Sequence, residues 1–400
     1  MKKDKCPCKK TSIGGQALME GIMMRGPKKT AMAVRNPDGE IVLEVSSNST
    51  KTPVIAKIPV VRGVYSFAMS MIQGYKCLMR SAEISGLEEA EEEMRREKEA
   101  KKAAKAAKKA AKKGEEPEPA EPVGAIHESP EPTEPVGDHE SSEPTEPVAD
   151  HEAPAPAKKE KKTDSTSVTT TLVMVLGVVL GLGLAILLFK FVPTALYDLL
   201  VGLLPVLKPE DVALDSFIRS LIEGVFKIVI VVGYMAAVSL MKEIRRTFRY
   251  HGAEHKTIFC YEAGLELTVE NVRKQKRFHP RCGTSFLILM VLVNVFVSFF
   301  INPVFYAIAG FPMEELAEVF KLLPTLVRTG ISLVLLPLVM GIGYELLKLA
   351  GRYDNFLTRL ISLPGVWLQH ITVLEPDDSM IECAIAAVKE VIPEDESDRW

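Results

Sequence analysis

Histidine and cysteine are both scarce in this chain of 400 residues, which holds seven of the first and six of the second. The cysteines, Cys6, Cys8, Cys77, Cys260, Cys282 and Cys383, follow no framework spacing. That argues against a small disulfide-stapled fold and for reduced thiols facing the cytosol. An apolar core behind the basic start is missing too. "MKKDKCPCKK" runs into "TSIGGQALMEG", so no cleaved secretory leader is expected. Nor is there an excess of charge of one sign: the net charge is −3. That figure averages a charged tract over 86–166 with a strongly apolar region over 168–350. It gives no pointer to nucleic acid.

Length alone sets a prior of roughly two to three domains, and the composition shifts place the boundaries. Residues 1–85 read as a cytosolic N-terminal segment. Within it, "AMAVRNPDGEIVLEV" gives two β-rich runs joined at Asn36-Pro37-Asp38-Gly39, a hairpin over 31–46. The stretch from Arg62 to Lys76 carries no charge between its ends but is too short to span a bilayer. It is expected as a helix on the membrane surface or packed against the spans. Residues 86–166 read as a disordered, low-complexity linker, closing in twelve-residue Pro/Glu repeats over 117–152. Each repeat ends in His-Glu, at His127, His139 and His151, which duplication explains without a metal.

Four membrane spans are expected over about 172–189, 217–241, 284–310 and 329–349, within a membrane domain over 168–350. The stretch 191–207 is apolar but holds two prolines and Asp198, and reads as interfacial or re-entrant. Lys and Arg crowd into 242–283 and into the segment ahead of the first span. The positive-inside rule then puts both termini and 242–283 in the cytosol of a multi-pass protein. Residues 351–400 read as a cytosolic α+β segment, with a strand near "HITVLEP" and a helix over about 377–391. In that helix Met380, Ala384, Ala387 and Val391 form an apolar stripe. The fold class is thus an α-helical polytopic membrane protein with a small cytosolic α+β portion.

Chemistry concentrates in "FRYHGAEHKTIFCYE", residues 248–262. If a helix continues from the second span to Gly264, His255 lies roughly 40° round from His251, Glu262 roughly 20° and Glu254 roughly 60° the other way. All four share one face. Two histidines at i, i+4 can share a metal ion, and a neighbouring glutamate can activate water. His251-Gly-Ala-Glu254-His255 also fits the H-x-x-E-H pattern. "FHPRCGTSF" adds His279 and Cys282 with zinc-knuckle spacing, on the same side of the membrane. Three readings stay open for these residues: a metal site, a hydrogen-bonded polar cluster, and a lipid headgroup or phosphate site. Glu223 and Lys227, four apart inside the second span, form either an ion pair or part of a polar pathway. Glu20 and Arg25, in the glycine-rich "GGQALMEGIMMRGP", can reach a site or an anionic headgroup.

These strings, with "GIGYELLKLAGR" and "PGVWLQHITVLEPDDSMIECAIAAV", resemble a bacterial membrane family, the YqhQ-like proteins of domain of unknown function 1385. The resemblance covers about residues 11–85 and 168–392. It implies a bacterial cytoplasmic-membrane location and the label of a metal-dependent enzyme. Carried onto this chain it points to His251, Glu254, His255, His279 and Cys282, with Glu20 and Arg25. No reaction comes with it.

The leading expectation is a metal-dependent membrane enzyme, a hydrolase of a lipid-linked or membrane-bound substrate. A divalent metal, zinc, would bind His251, His255, His279 and Cys282, with Glu254 as general base. The alternative is a non-enzymatic scaffold or regulator with a structural site, its acidic linker binding a protein partner. A small-solute transporter using Glu223, Lys227 and Asn294 ranks third, because no internal span repeat supports it.

Overall fold

Two residues, Met19 and Glu20, join the first strands of a four-stranded antiparallel meander. The computed structural model describes residues 10–48, 53, 56, 58–86, 166–353, 355–395 and 397–399. The charged linker with His127, His139 and His151, and the pair Cys6 and Cys8, lie outside the described residues. The chain divides into a unit of residues 1–92 and 180–400 and a unit of 93–179, the latter described only over 166–179.

Strands β1 (Gly14–Leu18), β2 (Gly21–Arg25), β3 (Lys29–Arg35) and β4 (Ile41–Ser47) lie side by side in chain order. The expected hairpin is β3–β4. Gly39, at φ 88°, occupies the left-handed region, and its N–H donates to Asn36 O at 3.0 Å. That conformation is why a Pro-Asp-Gly sequence turns the chain here. The glycine-rich "GGQALMEGIMMRGP", where no strand is expected from sequence, forms β1 and β2.

The sheet has no wet face at its centre. Ile22, Met24, Ala31 and Ala33 point into one core, while Leu18, Met23, Met32 and Val34 point into another. Helix α1 (Val61–Ile84) covers the second through Cys77. It also packs on the late helices, where Gly63 meets Tyr344 and Gly341, and Arg62 Nε donates to Glu345 at 2.6 Å.

Helix α2 (Thr166–Ile186) passes through a π-turn, Leu187–Phe191, into α3 (Val192–Leu203). Leu176–Leu203 is therefore one apolar helix, which corrects the separate interfacial segment over 191–207. Pro193 lacks an N–H and would clash with the carbonyl four residues back in a regular helix. The wide turn just before it relieves that conflict, and the chain breaks only at Leu204. Then follow α4 (Val212–Val238), α5 (Lys242–Glu262), α6 (Val269–Arg273) and α7 (Gly283–Ala309). A break at Ser239–Met241 separates α4 from α5, so the histidine helix does not continue the second span. Next come α8 (Leu323–Val334), α9 (Leu336–Arg352), α10 (Phe356–Thr372) and α11 (Asp378–Val391).

Among the described residues, three helices are long and apolar enough to cross a membrane: Leu176–Leu203, Ala213–Val238 and Gly283–Ala309. The pair α8 and α9, bent by 49°, makes a fourth if it counts as one span. The expected strand near "HITVLEP" is absent: α10 runs to Thr372, and 373–377 is extended without a strand partner. Ile371, Thr372 and Val373 favour strands by propensity, but the apolar face of α10 packs on α7 and overrides it. Helix α11 starts at an Asp377 cap, whose side chain accepts from Met380 N–H, and buries Met380, Ala384, Ala387 and Val391 against β2, β3 and α5.

Candidate metal centre

Helix α5 presents His251 and His255 one turn apart, their ring centroids 4.5 Å from each other. Cys282 caps the start of α7 and brings its sulfur 3.0 Å from His251 Nε2. One donor atom from each of His251, His255 and Cys282 lies within 4.8 Å of the other two.

The backbone decides which nitrogen each histidine offers. Thr372 O lies 2.9 Å from His251 Nδ1, and Arg277 O contacts His255 Nδ1. A carbonyl only accepts, so both Nδ1 atoms carry the proton and both Nε2 atoms keep a lone pair. This is how metal-ligating histidines are normally oriented. His255 is 1% exposed, and its Nε2 is buried without a hydrogen-bond partner. Burial pushes its pKa below the usual histidine range, against the charge of the Cys282 thiolate, which raises it. Burial opposes a thiolate at Cys282, but His255 and the Thr284 N–H and hydroxyl outweigh it and lower its pKa.

Glu254, 5% exposed, accepts from Gly15 N–H at 3.0 Å through Oε1, while Oε2 is buried without a partner. Burial, with Cys282 adding to it, pushes this carboxyl up to about 7 against the pull of His251 and the Gly15 N–H. A Cβ on Gly15 would sit 3.0 Å from Glu254 Cδ and 2.7 Å from Met23 O, so only glycine lets β1 approach this closely. A cavity of about 130 Å³ opens here, lined by Thr11, Gly15, Glu254, His255, His279 and Cys282 among others.

His279 borders that cavity but does not join the three converging donors. Its Nε2 lies 3.2 Å from the Arg281 guanidinium and 3.9 Å from Glu262. Gln369 fixes the backbone on which it sits: His279 N–H donates to Oε1 at 2.8 Å, and Nε2 donates to His279 O at 2.8 Å. Glu262 also pairs with Arg281 and accepts from Thr11 N–H at 2.9 Å. Burial works against its ionisation, but His279 and Arg281 outweigh this and hold its pKa below the usual carboxylate range. Its contribution to stability is therefore present above the unfolded carboxylate pKa and is lost as pH falls through the folded one. Glu262→Gln is expected to lower the melting temperature at pH 7, with the gap to wild type narrowing toward the lowest pH at which the protein stays folded. A constant gap down to that pH would show that the charge is not what matters.

The other sequence candidates lie apart from this group. Glu20, at φ 52°, closes the β1–β2 turn, pairs with Arg246 and accepts from Tyr250 OH at 3.3 Å. Arg25 ends β2 with an exposed side chain. Glu223 and Lys227 pair at 3.6 Å inside α4. Sequence reasoning marked Gly15 only as a conformationally permissive glycine, and missed Thr372 O, Arg277 O and Gln369. Of these three, only Gln369 left a trace, as an uncharged polar residue inside the apolar run of α10.

The chain matches the family described as "Protein of unknown function (DUF1385)" over residues 58–394. A Bacillus subtilis (strain 168) protein described as "Uncharacterized protein YqhQ" is 28% identical over 395 residues, 98% of this chain and 95% of that protein. No solved structure matches. Neither description names an activity, so the metal-dependent-enzyme label expected from the resemblance gains no support from them. The family match begins after the sheet and takes in α5, Cys282 and Gln369, all the elements that build the centre except the β1 backbone. The chain belongs to the DUF1385 family.

Proposed function

We propose that His251, His255 and Cys282 hold one divalent metal ion beside the membrane, and that Glu254 is the general base of a hydrolytic site. One observation carries the reading. Both histidines spend Nδ1 on a backbone carbonyl; His251 Nε2 then lies 3.0 Å from the thiol, and His255 Nε2 is left without a partner. A Cys-His-His set suits zinc, and three protein ligands with an open position is the catalytic arrangement, not the closed structural one. Zinc bound there would supply Lewis acidity and make a water a better acid. Glu254, which lines the cavity with Oε1 anchored on Gly15 and its pKa near neutrality, would take that proton on its partnerless Oε2. The cavity gives a substrate access to the centre. Because Cys282 directly precedes an apolar helix of membrane length, a membrane-bound substrate such as a lipid-linked ester fits best. With both termini in the cytosol of a bacterium, the centre faces the cytosolic side of the membrane.

Glu254→Gln tests the division of roles. The variant is expected to keep its metal within about twofold, since Glu254 is not a ligand, and to lose at least about a hundredfold in hydrolysis of chromogenic carboxyl and phosphate esters. Metal and turnover lost together would remove Glu254 from the role of base.

The 3.0 Å contact between Cys282 Sγ and His251 Nε2 favours a second reading, a metal-free thiolate–imidazolium pair with Cys282 as nucleophile. It leaves the partnerless Nε2 of His255 without a use, and we rank it below the metal.

A further inference from the structure

A second polar cavity lies among the apolar helices, apart from the His/Cys residues. It is lined by side chains of the π-turn, α3, α4, α7 and α8. Lys190, Arg219, Lys227 and Arg328 border it, against Glu223 as the one carboxylate among the described lining residues. Ionisable groups at such a depth are costly unless compensated, and they usually mark a function. Glu223 is already engaged. Its Oε1 receives Arg219 at 3.1 Å and the Thr194 hydroxyl at 3.2 Å, and its Oε2 faces Lys227 at 3.6 Å. Arg219 also reaches Asp198, at 3.2 Å, outside the cavity. Arg328 donates to Asn302 Oδ1 at 3.0 Å.

Lys190 stands out among them. It sits on the π-turn in the middle of the first membrane-length helix and makes no hydrogen bond or ion pair among the described residues. Single π-turns inside helices occur frequently at functional sites, because the extra residue re-aims a side chain. Two hydroxyls point to the same conclusion. Ser220 and Thr329, 7% and 8% exposed, line the cavity and add two hydroxyls to its wall. Excess positive charge beside O–H donors describes a receptor for an anion.

Size narrows the class. The cavity measures about 20 Å³, room for roughly one or two water-sized occupants. A phosphorylated headgroup does not fit that space, and a cation is excluded by the sign of the charge. We infer that the cavity binds a compact inorganic anion of chloride size, held by Lys190 and Lys227 and by the hydroxyls of Ser220 and Thr329. The site is distinct from the proposed metal centre and does not depend on it.

The test uses the full-length protein in detergent, in a gluconate buffer, titrated with chloride, bromide, inorganic phosphate or short-chain phosphatidylglycerol. The melting temperature and the 35Cl NMR line width are followed. Chloride and bromide are expected to stabilise the wild type saturably. Lys190→Met is expected to weaken that response by at least about tenfold, as for removal of one partner of a buried charge pair. Ser220→Ala/Thr329→Val, which leaves every charge in place, is expected to weaken it severalfold and covers the case in which Lys190→Met fails to fold. Zinc content should be unchanged in both. No saturable halide response in the wild type, or equal responses in wild type and the Ser220/Thr329 variant, would overturn the site. Saturable stabilisation by phosphate or the lipid but not by halide would overturn the size assignment.

Discussion

Wild-type protein purified in detergent is expected to carry about one equivalent of zinc, and the His251→Ala/His255→Ala variant less than about a tenth of that. Structural zinc in zinc-finger peptides is bound by about 10–16 kcal/mol at pH 7, and here the variant removes two of only three protein ligands. Elemental mass spectrometry measures the effect directly, with circular dichroism showing that the helices persist. Folding is expected to survive, because α5 is anchored in the core by Tyr250, Ala253, Ile258 and Cys260, not by its histidines. The informative partner is His279→Ala. The expectation from sequence makes it a fourth ligand, whereas the structure turns its ring toward Glu262 and Arg281. His279→Ala should therefore keep its zinc while losing stability. Zinc lost as completely as in the double variant would mean a closed four-ligand site, and with it a structural role. No metal in any form, together with rapid alkylation of Cys282 near pH 6, would leave the thiolate–imidazolium pair as the surviving reading.

How far the centre was legible from sequence follows from which contacts are local. The i, i+4 spacing of His251 and His255 on one helix is a property of helix geometry and needs nothing else to be right. It was readable even though the helix does not continue the second span. Cys282 was readable as the end of a loop that must return to a span. The separation of His279 from Cys282 was not, because Gln369, some ninety residues on, sets the backbone between them. The carbonyls of Thr372 and Arg277 were invisible for a simpler reason: any residue type carries one. In the fold, the apolar helices were plain from uncharged length. Strand β2 was hidden because both faces of the sheet are buried there, and β1 because it opens on Gly14 and Gly15, a residue type depleted in strands. Ile22, Met23 and Met24 are consecutive apolar residues, and the alternation that betrays a half-buried strand never arises. Proline misled at 193, where a π-turn absorbs what a regular helix could not.

The largest effect of a single small substitution is expected at Gly252, next to His251. Helix α5 meets the extended segment 373–377 there, with Leu374 N–H donating to Phe248 O at 2.9 Å. A Cβ on Gly252 would lie 1.9 Å from Leu374 O, 3.1 Å from its carbonyl carbon and 3.3 Å from Pro376 Cδ. Carbon and carbonyl oxygen ordinarily stop at about 3.3–3.6 Å, so helix and segment must part by roughly 1.5 Å. The obstacle is backbone, which no rotamer change can clear. Thr372 is two residues before Leu374, and its carbonyl holds His251 Nδ1 at 2.9 Å. Parting the two elements therefore releases the very bond that aims His251 Nε2 at Cys282. Metal geometry tolerates only about 0.2 Å, so Gly252→Ala should lower zinc affinity by at least about tenfold. Overpacking of this kind costs about 1–3 kcal/mol, which in a chain of this size lowers the melting temperature by roughly 1–4 °C. Gly264→Ala provides the contrast. Gly264 ends the same helix at φ 68° with nothing near its Cβ position, so alanine there strains the backbone by about 1 kcal/mol without touching the ligands. It should lower stability and leave zinc affinity alone. If both variants lose stability and only Gly252→Ala loses zinc, the 373–377 segment is what aligns the histidine. If Gly252→Ala binds zinc like the wild type, His251 is held by something other than Thr372, and the orientation argument for the centre falls.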